Sequence, residues 1–229
     1  IVLAPQETCV SGFVPNEDEP PPPEIYVMNA DGSDQIRLTR VSPGSTSDCP
    51  TWSYGATWSP NGEQIAFSSS RDGIGEIYLM NKDGSGETNI TNNPFYFDEY
   101  PTWSPDGHQI AFASDRFEFV PEPPAVFSQI YVMNKDGTGQ TRLTQNDGAN
   151  DMRPAWSPDG NQIAFDSDRG SDIGIYVIEK DGSNQQKITD DSSAFYPAWS
   201  SDGSRISFTS NKDGHSQIYV MEADGSDQK

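Results

Sequence analysis

An internal repeat constrains this chain more than any other feature. Four segments carry nearly one string: Trp58-Ser-Pro-Asn-Gly, Trp103-Ser-Pro-Asp-Gly, Trp156-Ser-Pro-Asp-Gly and Trp199-Ser-Ser-Asp-Gly. Their tryptophans stand 45, 53 and 43 residues apart. Each string leads into Gln-Ile-Ala-Phe or a variant, at Gln64–Phe67, Gln109–Phe112, Gln162–Phe165 and Arg205–Phe208. A second anchor occurs at Ile25-Tyr-Val-Met, Ile77-Tyr-Leu-Met, Ile130-Tyr-Val-Met, Ile175-Tyr-Val-Ile and Ile218-Tyr-Val-Met. An Asp-Gly turn follows each anchor, and then a short segment ending in Leu-Thr or Ile-Thr at Leu38, Ile90, Leu143 and Ile188. Such periods mark units that cannot bury their apolar face alone and must stack on their neighbours.

Each unit reads as four short strands. Ile-Ala-Phe and Ile-Tyr-Val-Met are β-branched and aromatic runs bounded by turn residues. Asp-Gly and Asn-Gly supply the positive φ of tight hairpins, and no stretch keeps a helical period over two turns. The chain is therefore all-β, and a four-stranded antiparallel sheet at this period is a propeller blade. The expected layout is one propeller domain of about four to five blades. A partial first blade covers about 1–47, with a Pro-rich loop at 4–24. Blades two to four cover about 48–97, 98–150 and 151–194, and a partial fifth covers about 195–229. Ile1–Leu3 reads as the second strand of a blade lacking its first, and the last fourth strand stops as it begins. Eighteen strands do not close a ring of four-stranded blades. The ring is incomplete, or another segment or copy completes it, since an open strand edge is a template for pairing.

The pattern Pro-x-Trp-Ser-Pro-Asp-Gly-x-x-Ile-Ala-Phe-x-Ser-Asp-Arg, followed by Ile-Tyr-Val-Met-Asn-x-Asp-Gly-Ser, resembles the TolB-type (WD40-like) β-propeller repeat from about Ile25 onward. In TolB itself the resemblance implies a propeller that binds a periplasmic lipoprotein at one face. In prolyl-oligopeptidase relatives it implies a propeller gating a hydrolase domain. This sequence shows neither an α/β domain before the blades nor a hydrolase domain after them.

Two faces are expected to differ. The turns joining first to second and third to fourth strands are short and uniform, whereas all long insertions fall on the opposite face. There stand Glu17-Asp-Glu with Pro20–Pro23, and Val120-Pro-Glu-Pro-Pro. There too lies a near-duplication, Pro50-Thr-Trp-Ser then Ala56-Thr-Trp-Ser, that lengthens the entry to blade two. Phe95, Tyr96, Phe97 and Tyr100 lie in the loop into blade three, and Phe117 and Phe119 in a second long loop; these six are the candidate ligand-binding residues. Four consecutive prolines favour a stiff polyproline II segment, a spacer or a docking element. Asp98 and Asp151 lie three residues before the proline of their inner strands. Asp48 and Glu99 lie one residue later in theirs. Together they are expected to ring the channel mouth, paired by Arg116 and Arg169 or holding a cation such as Ca²⁺. The Asp-Gly-Ser segments themselves need no metal as hairpin turns.

Cys9 and Cys49 fall on the loop-rich face near one blade. A disulfide between them would clip the Pro-rich loop to the rim in an oxidising compartment. Asn89-Ile-Thr is a glycosylation sequon placed in a strand. Acidity enters here, with 14 Lys+Arg against 35 Asp+Glu, a net charge of −21. That excludes duplex DNA as a partner, since binding it needs a basic surface, and no apolar run reaches membrane-spanning length. Eleven of the 20 glycines directly follow an aspartate, so part of this charge belongs to turns. No Gly-x-Ser-x-Gly elbow, metal-spaced His pair or phosphate loop is present. The expected function is non-catalytic protein binding or assembly, extracellular or periplasmic, through the loop-rich face. Its rivals are a surface-layer or filament subunit assembled by strand sharing, a regulatory propeller of a hydrolase, and a glycan-binding or glycosidase module.

Overall fold

The computed structural model describes residues 23–40, 51–116, 127–145, 148–169, 173–189 and 193–229. No helix occurs among the described residues. The strands form a β-propeller of four antiparallel blades preceded by a two-stranded pair. Three blades are four-stranded meanders that start with Ser53–Trp58, Asp98–Trp103 and Asp151–Trp156. The fourth starts with Ala194–Trp199 and has three strands. These first strands touch one another from blade to blade and so line the axis. In the leading pair, Tyr26–Val27 meets Ile36–Arg37; the strand expected at Ile1–Leu3 lies outside the described residues. Lys229 exchanges both backbone hydrogen bonds with Val220, at 3.0 and 2.8 Å. Gln186 faces Val177 in the same register.

Local chemistry explains the recurring signatures. Fourth strands are only two residues long. The threonine that follows continues the ladder with its side chain. Thr39, Thr91, Thr144 and Thr189 accept the backbone N–H of Ile25, Ile77, Ile130 and Ile175 at 2.9–3.0 Å, satisfying a buried donor. Each Leu-Thr or Ile-Thr thus ends a blade.

Blades stack by a single rule. Alternation along the strands puts Ile65, Phe67, Tyr78 and Met80 on one face and Ala66, Ile77 and Leu79 on the other. The small-and-aliphatic face of one blade receives the aromatic face of the next, as Ala66, Ile77 and Leu79 receive Phe112, Tyr131 and Met133. The same rule holds at the following two junctions, and between Ile25 with Leu38 and Phe67, Tyr78 and Met80 of the blade that starts at Ser53. Phe67, Phe112, Phe165 and Phe208 are fully buried there, each contributing roughly 1.5–3 kcal/mol. Backbones also approach closely. At Gly137 (φ +84°) an added Cβ would lie 2.2 Å from the carbonyl oxygen of Ile90 in the preceding blade, so only glycine fits.

The two faces separate as expected. Lys82 N–H donates to the Glu63 carbonyl and Lys135 N–H to that of His108, so both short turns of a blade lie together. At the other end, Asp98 N–H donates to Gly75 and Asp151 N–H to Ser128, tying the loops to the inner strands.

Candidate functional site

Every inner strand breaks register at the same place: between Tyr54 and Thr57, Glu99 and Thr102, Met152 and Ala155, and Phe195 and Ala198. The residue at this bulge has positive φ in each case, at Gly55 (65°), Tyr100 (56°), Arg153 (52°) and Tyr196 (58°). Glycine adopts that conformation freely, whereas a bulky residue pays about 1–2 kcal/mol for it. Strain of this kind gathers at functional sites.

Here it aligns side chains from successive blades. The Arg153 guanidinium lies between two rings, 5.3 Å from the centroid of Tyr100 and 4.2 Å from that of Tyr196. Its Nη1 donates to Asp166 at 2.8 Å. Tyr54 meets Tyr100 edge-on at 5.6 Å, donates its hydroxyl to Glu99, and lies 4.7 Å from Trp52. The result is a strip of aromatic rings interrupted by one cation, running across all four blades along the axis. Tyr196 remains 52% exposed at one end. The Tyr100 backbone N–H donates to Ser68 Oγ and that of Tyr196 to Asp166 Oδ1, at 3.1 and 3.3 Å.

At the loop end the strip continues into an exposed aromatic patch. Phe95 is 80% exposed and Phe97 is exposed as well, with Tyr96 half-buried beside them. Trp52 and Phe97 close over Gly75, where a Cβ would stand 2.8 Å from the Trp52 ring. The Phe97 backbone N–H donates to Asp115 at 2.7 Å.

Phe95, Tyr96 and Phe97 lie in the loop that precedes the inner strand Asp98–Trp103. Tyr100 belongs to the inner strand itself, because the bulge draws it in. Phe117, Phe119, Cys9, Cys49 and Asp48 lie outside the described residues. Trp52, Tyr54, Arg153 and Tyr196 were missed. The available signal was the residue before each inner-strand proline, which holds Tyr100, Arg153 and Tyr196 in one column. In blade two the second Thr-Trp-Ser copy forms the strand. Ser53 therefore occupies the position of Asp98, opposite Ser69 as Asp98 is opposite Ser114.

The inner-strand carboxylates are held by arginines. Asp98 and Asp151 are completely buried, and each accepts from the arginine that follows its own second strand: Arg116 at 2.5 Å and Arg169 at 2.7 Å. Both guanidiniums also cover rings of their own blade, Arg116 over Tyr131 and Arg169 over Tyr176. Burial pushes the Asp98 carboxyl up to about 6 even beside Arg116, and Asp166 up to about 6 even beside Arg153. Burial also raises Glu99 and Asp115. Among the described residues no three His, Cys, Asp or Glu side chains form a group able to hold a metal ion. Asn89 ends a fourth strand, half-buried, and its Oδ1 accepts the N–H of Asn92 at 2.8 Å.

A family model described as the TolB beta propeller domain matches residues 45–118 and 125–196, more than half of the chain. The uncharacterized protein Atu1656 of Agrobacterium fabrum is 32% identical over 134 residues, covering 58% of this chain and 42% of that protein. The Tol-Pal system protein TolB of Geobacter sulfurreducens is 42% identical over 60 residues, or 26% of this chain and 13% of that protein. The chain thus spans less than half the length of these curated relatives. A solved structure assigned to TolB from Agrobacterium tumefaciens superimposes with a TM-score of 0.69 at 26% identity, covering 87% of this chain and 70% of that one. Puromycin hydrolase shares the fold at 14% identity, with a TM-score of 0.61 over 86% of this chain and 33% of that one. No helix among the described residues is long and apolar enough to cross a membrane.

Proposed function

This chain belongs to the TolB β-propeller domain family, and from that membership we propose that it is a non-catalytic, protein-binding propeller working outside the cytoplasm. Its contact surface is the loop-rich end: Phe95 and Phe97 outermost, Trp52 behind them, and the Tyr54–Tyr100–Arg153–Tyr196 strip leading inward. The observation that carries this reading is the exposure of Phe95 at 80% in the loop whose Phe97 meets Trp52 over Gly75, at the end of a pre-aligned aromatic strip. Exposed aromatics on a rigid scaffold supply large contact area at low entropic cost, the usual composition of binding hot spots. Ring faces beside buried carboxylates suit an extended polypeptide better than a reaction.

A random peptide library displayed on phage tests the proposal. Panning on the whole chain should enrich peptides whose binding falls at least tenfold in Phe95→Ser/Phe97→Ser, with the fold unchanged by circular dichroism. Enrichment that survives this double substitution would move the surface elsewhere. Binding on a glycan array lost with the same residues would favour sugar recognition. Hydrolysis of aminoacyl-coumarin substrates would overturn the non-catalytic reading.

A further inference from the structure

Four arginines of this molecule share one arrangement, a guanidinium held by a carboxylate and laid over two aromatic rings. Arg71 pairs with Glu87 over Phe67 and Tyr78. Arg116 pairs with Asp98 over Phe112 and Tyr131, and Arg169 with Asp151 over Phe165 and Tyr176. Arg153 repeats the arrangement on the axis with Asp166, Tyr100 and Tyr196. Rings and an anion together hold a planar cation by its face and its edge at once.

One place has the rings and the anion without the cation. The inner strands carry three carboxylates, at Asp98, Glu99 and Asp151. Asp98 and Asp151 hold arginines. Among the described residues Glu99 accepts only the neutral hydroxyl of Tyr54. Burial holds its carboxyl above the ordinary range, and neither that hydroxyl nor the Arg153 charge brings it back. Three rings stand around it. Trp52, Phe97 and Glu99 meet over Gly75, where a Cβ would lie 2.8, 3.3 and 3.6 Å from them. Tyr54 adds the third ring, 4.7 Å from that of Trp52. Phe97 is exposed, and Trp52 and Glu99 are only half-buried, so the group is open to the loop end.

We propose that Glu99, with Trp52, Tyr54 and Phe97, is a subsite for the guanidinium of an arginine side chain presented by the bound polypeptide. This rests on the loop-rich end being the contact surface and names the chemistry of the partner there. The incoming arginine completes at Glu99 what the four internal ones complete at Glu87, Asp98, Asp151 and Asp166. The net charge of −21 draws a cationic group toward the site. A neutral or anionic side chain would leave Glu99 without a counter-charge.

Acetyl-arginine amide, titrated against the whole ¹⁵N-labelled chain, tests the proposal through the Trp52 indole N–H, assigned by its loss in Trp52→Phe. The signal should shift saturably. Acetyl-citrulline amide, similar in shape but uncharged, should bind about fivefold or more weakly. Glu99→Gln keeps the volume and the acceptor for Tyr54, and should bring the two probes to equal affinity with circular dichroism unchanged. Phe97→Leu should weaken the arginine probe while leaving some preference for it. No shift with acetyl-arginine amide would overturn the proposal, as would equal binding of the two probes or a preference for arginine that survives Glu99→Gln. Such a failure leaves the capture of phage peptides through Phe95 and Phe97 untouched. Loss of that capture with the arginine preference intact would instead move the contact surface and keep the subsite.

Discussion

The turn face and the axial, loop-bearing side of this propeller use the same residue, aspartate, in opposite ways. On the turn face Asp31, Asp83, Asp136, Asp181 and Asp224 each accept the hydroxyl and the backbone N–H of a serine or threonine two residues on. Those bonds hold their carboxyls below the ordinary range. Asp202 is held down to about 2 by Ser200 and Ser204. Along the axis, burial pushes Asp98 and Asp166 up, and Arg116 and Arg153 offset part of the cost of their charge. The contrast teaches that acidity serves local geometry at one end and tertiary pairing at the other.

The largest effect expected from that contrast comes from orphaning an axial carboxylate. Arg169→Met leaves Asp151 completely buried without its guanidinium and should cost about 3–5 kcal/mol in urea unfolding. A loss below about 1 kcal/mol would show that the axial pairs are not what tolerates these charges.

Next comes close approach on the turn face. Gly137→Ala must adopt positive φ and also move a neighbouring carbonyl, for about 2–4 kcal/mol. Gly62→Ala, with positive φ but open space around it, should cost about 1 kcal/mol. Equal losses would mean that blade junctions are looser than this packing implies.

Smaller still is the dependence on pH, which should slope in opposite directions for the two groups of aspartates. Asp98 and Asp166 have folded values raised above 3.8, so their contribution is fully present below about 3.8 and lost as pH rises through about 6. Asp202 has a lowered value, so its contribution is present above about 3.8 and lost as pH falls through about 2. Asp166→Asn should flatten the limb above about pH 4, and Asp202→Asn the limb below it. Urea midpoints across this range check both. The smallest change is expected from Asp181→Asn at pH 7, because asparagine keeps the turn geometry.

How much of this was legible beforehand varied with distance along the chain. Hairpins, strand alternation and the pairing of Asp98 with Arg116 follow from residues within one repeat. The sequence also put the exposed aromatics at the loop end, since insertions there are plain to read. It left open which copy of Thr-Trp-Ser opens blade two. Packing decided for the second, because Gly55 can occupy the bulge. Tyr100 looked like a loop residue for the same reason, as bulges leave no signature beyond a following proline.

By itself, then, the sequence determined the blade: its four strands, its turns and the faces those strands present. These depend on φ preferences and on a two-residue alternation that act over a few neighbours. Only the tertiary structure decided that Arg153 lies between Tyr100 and Tyr196, residues 53 and 43 positions away from it. Contacts between blades are set by how rigid sheets stack about an axis. Stacking brings equivalent positions together whatever their side chains are, so their meeting cannot be read from any one repeat.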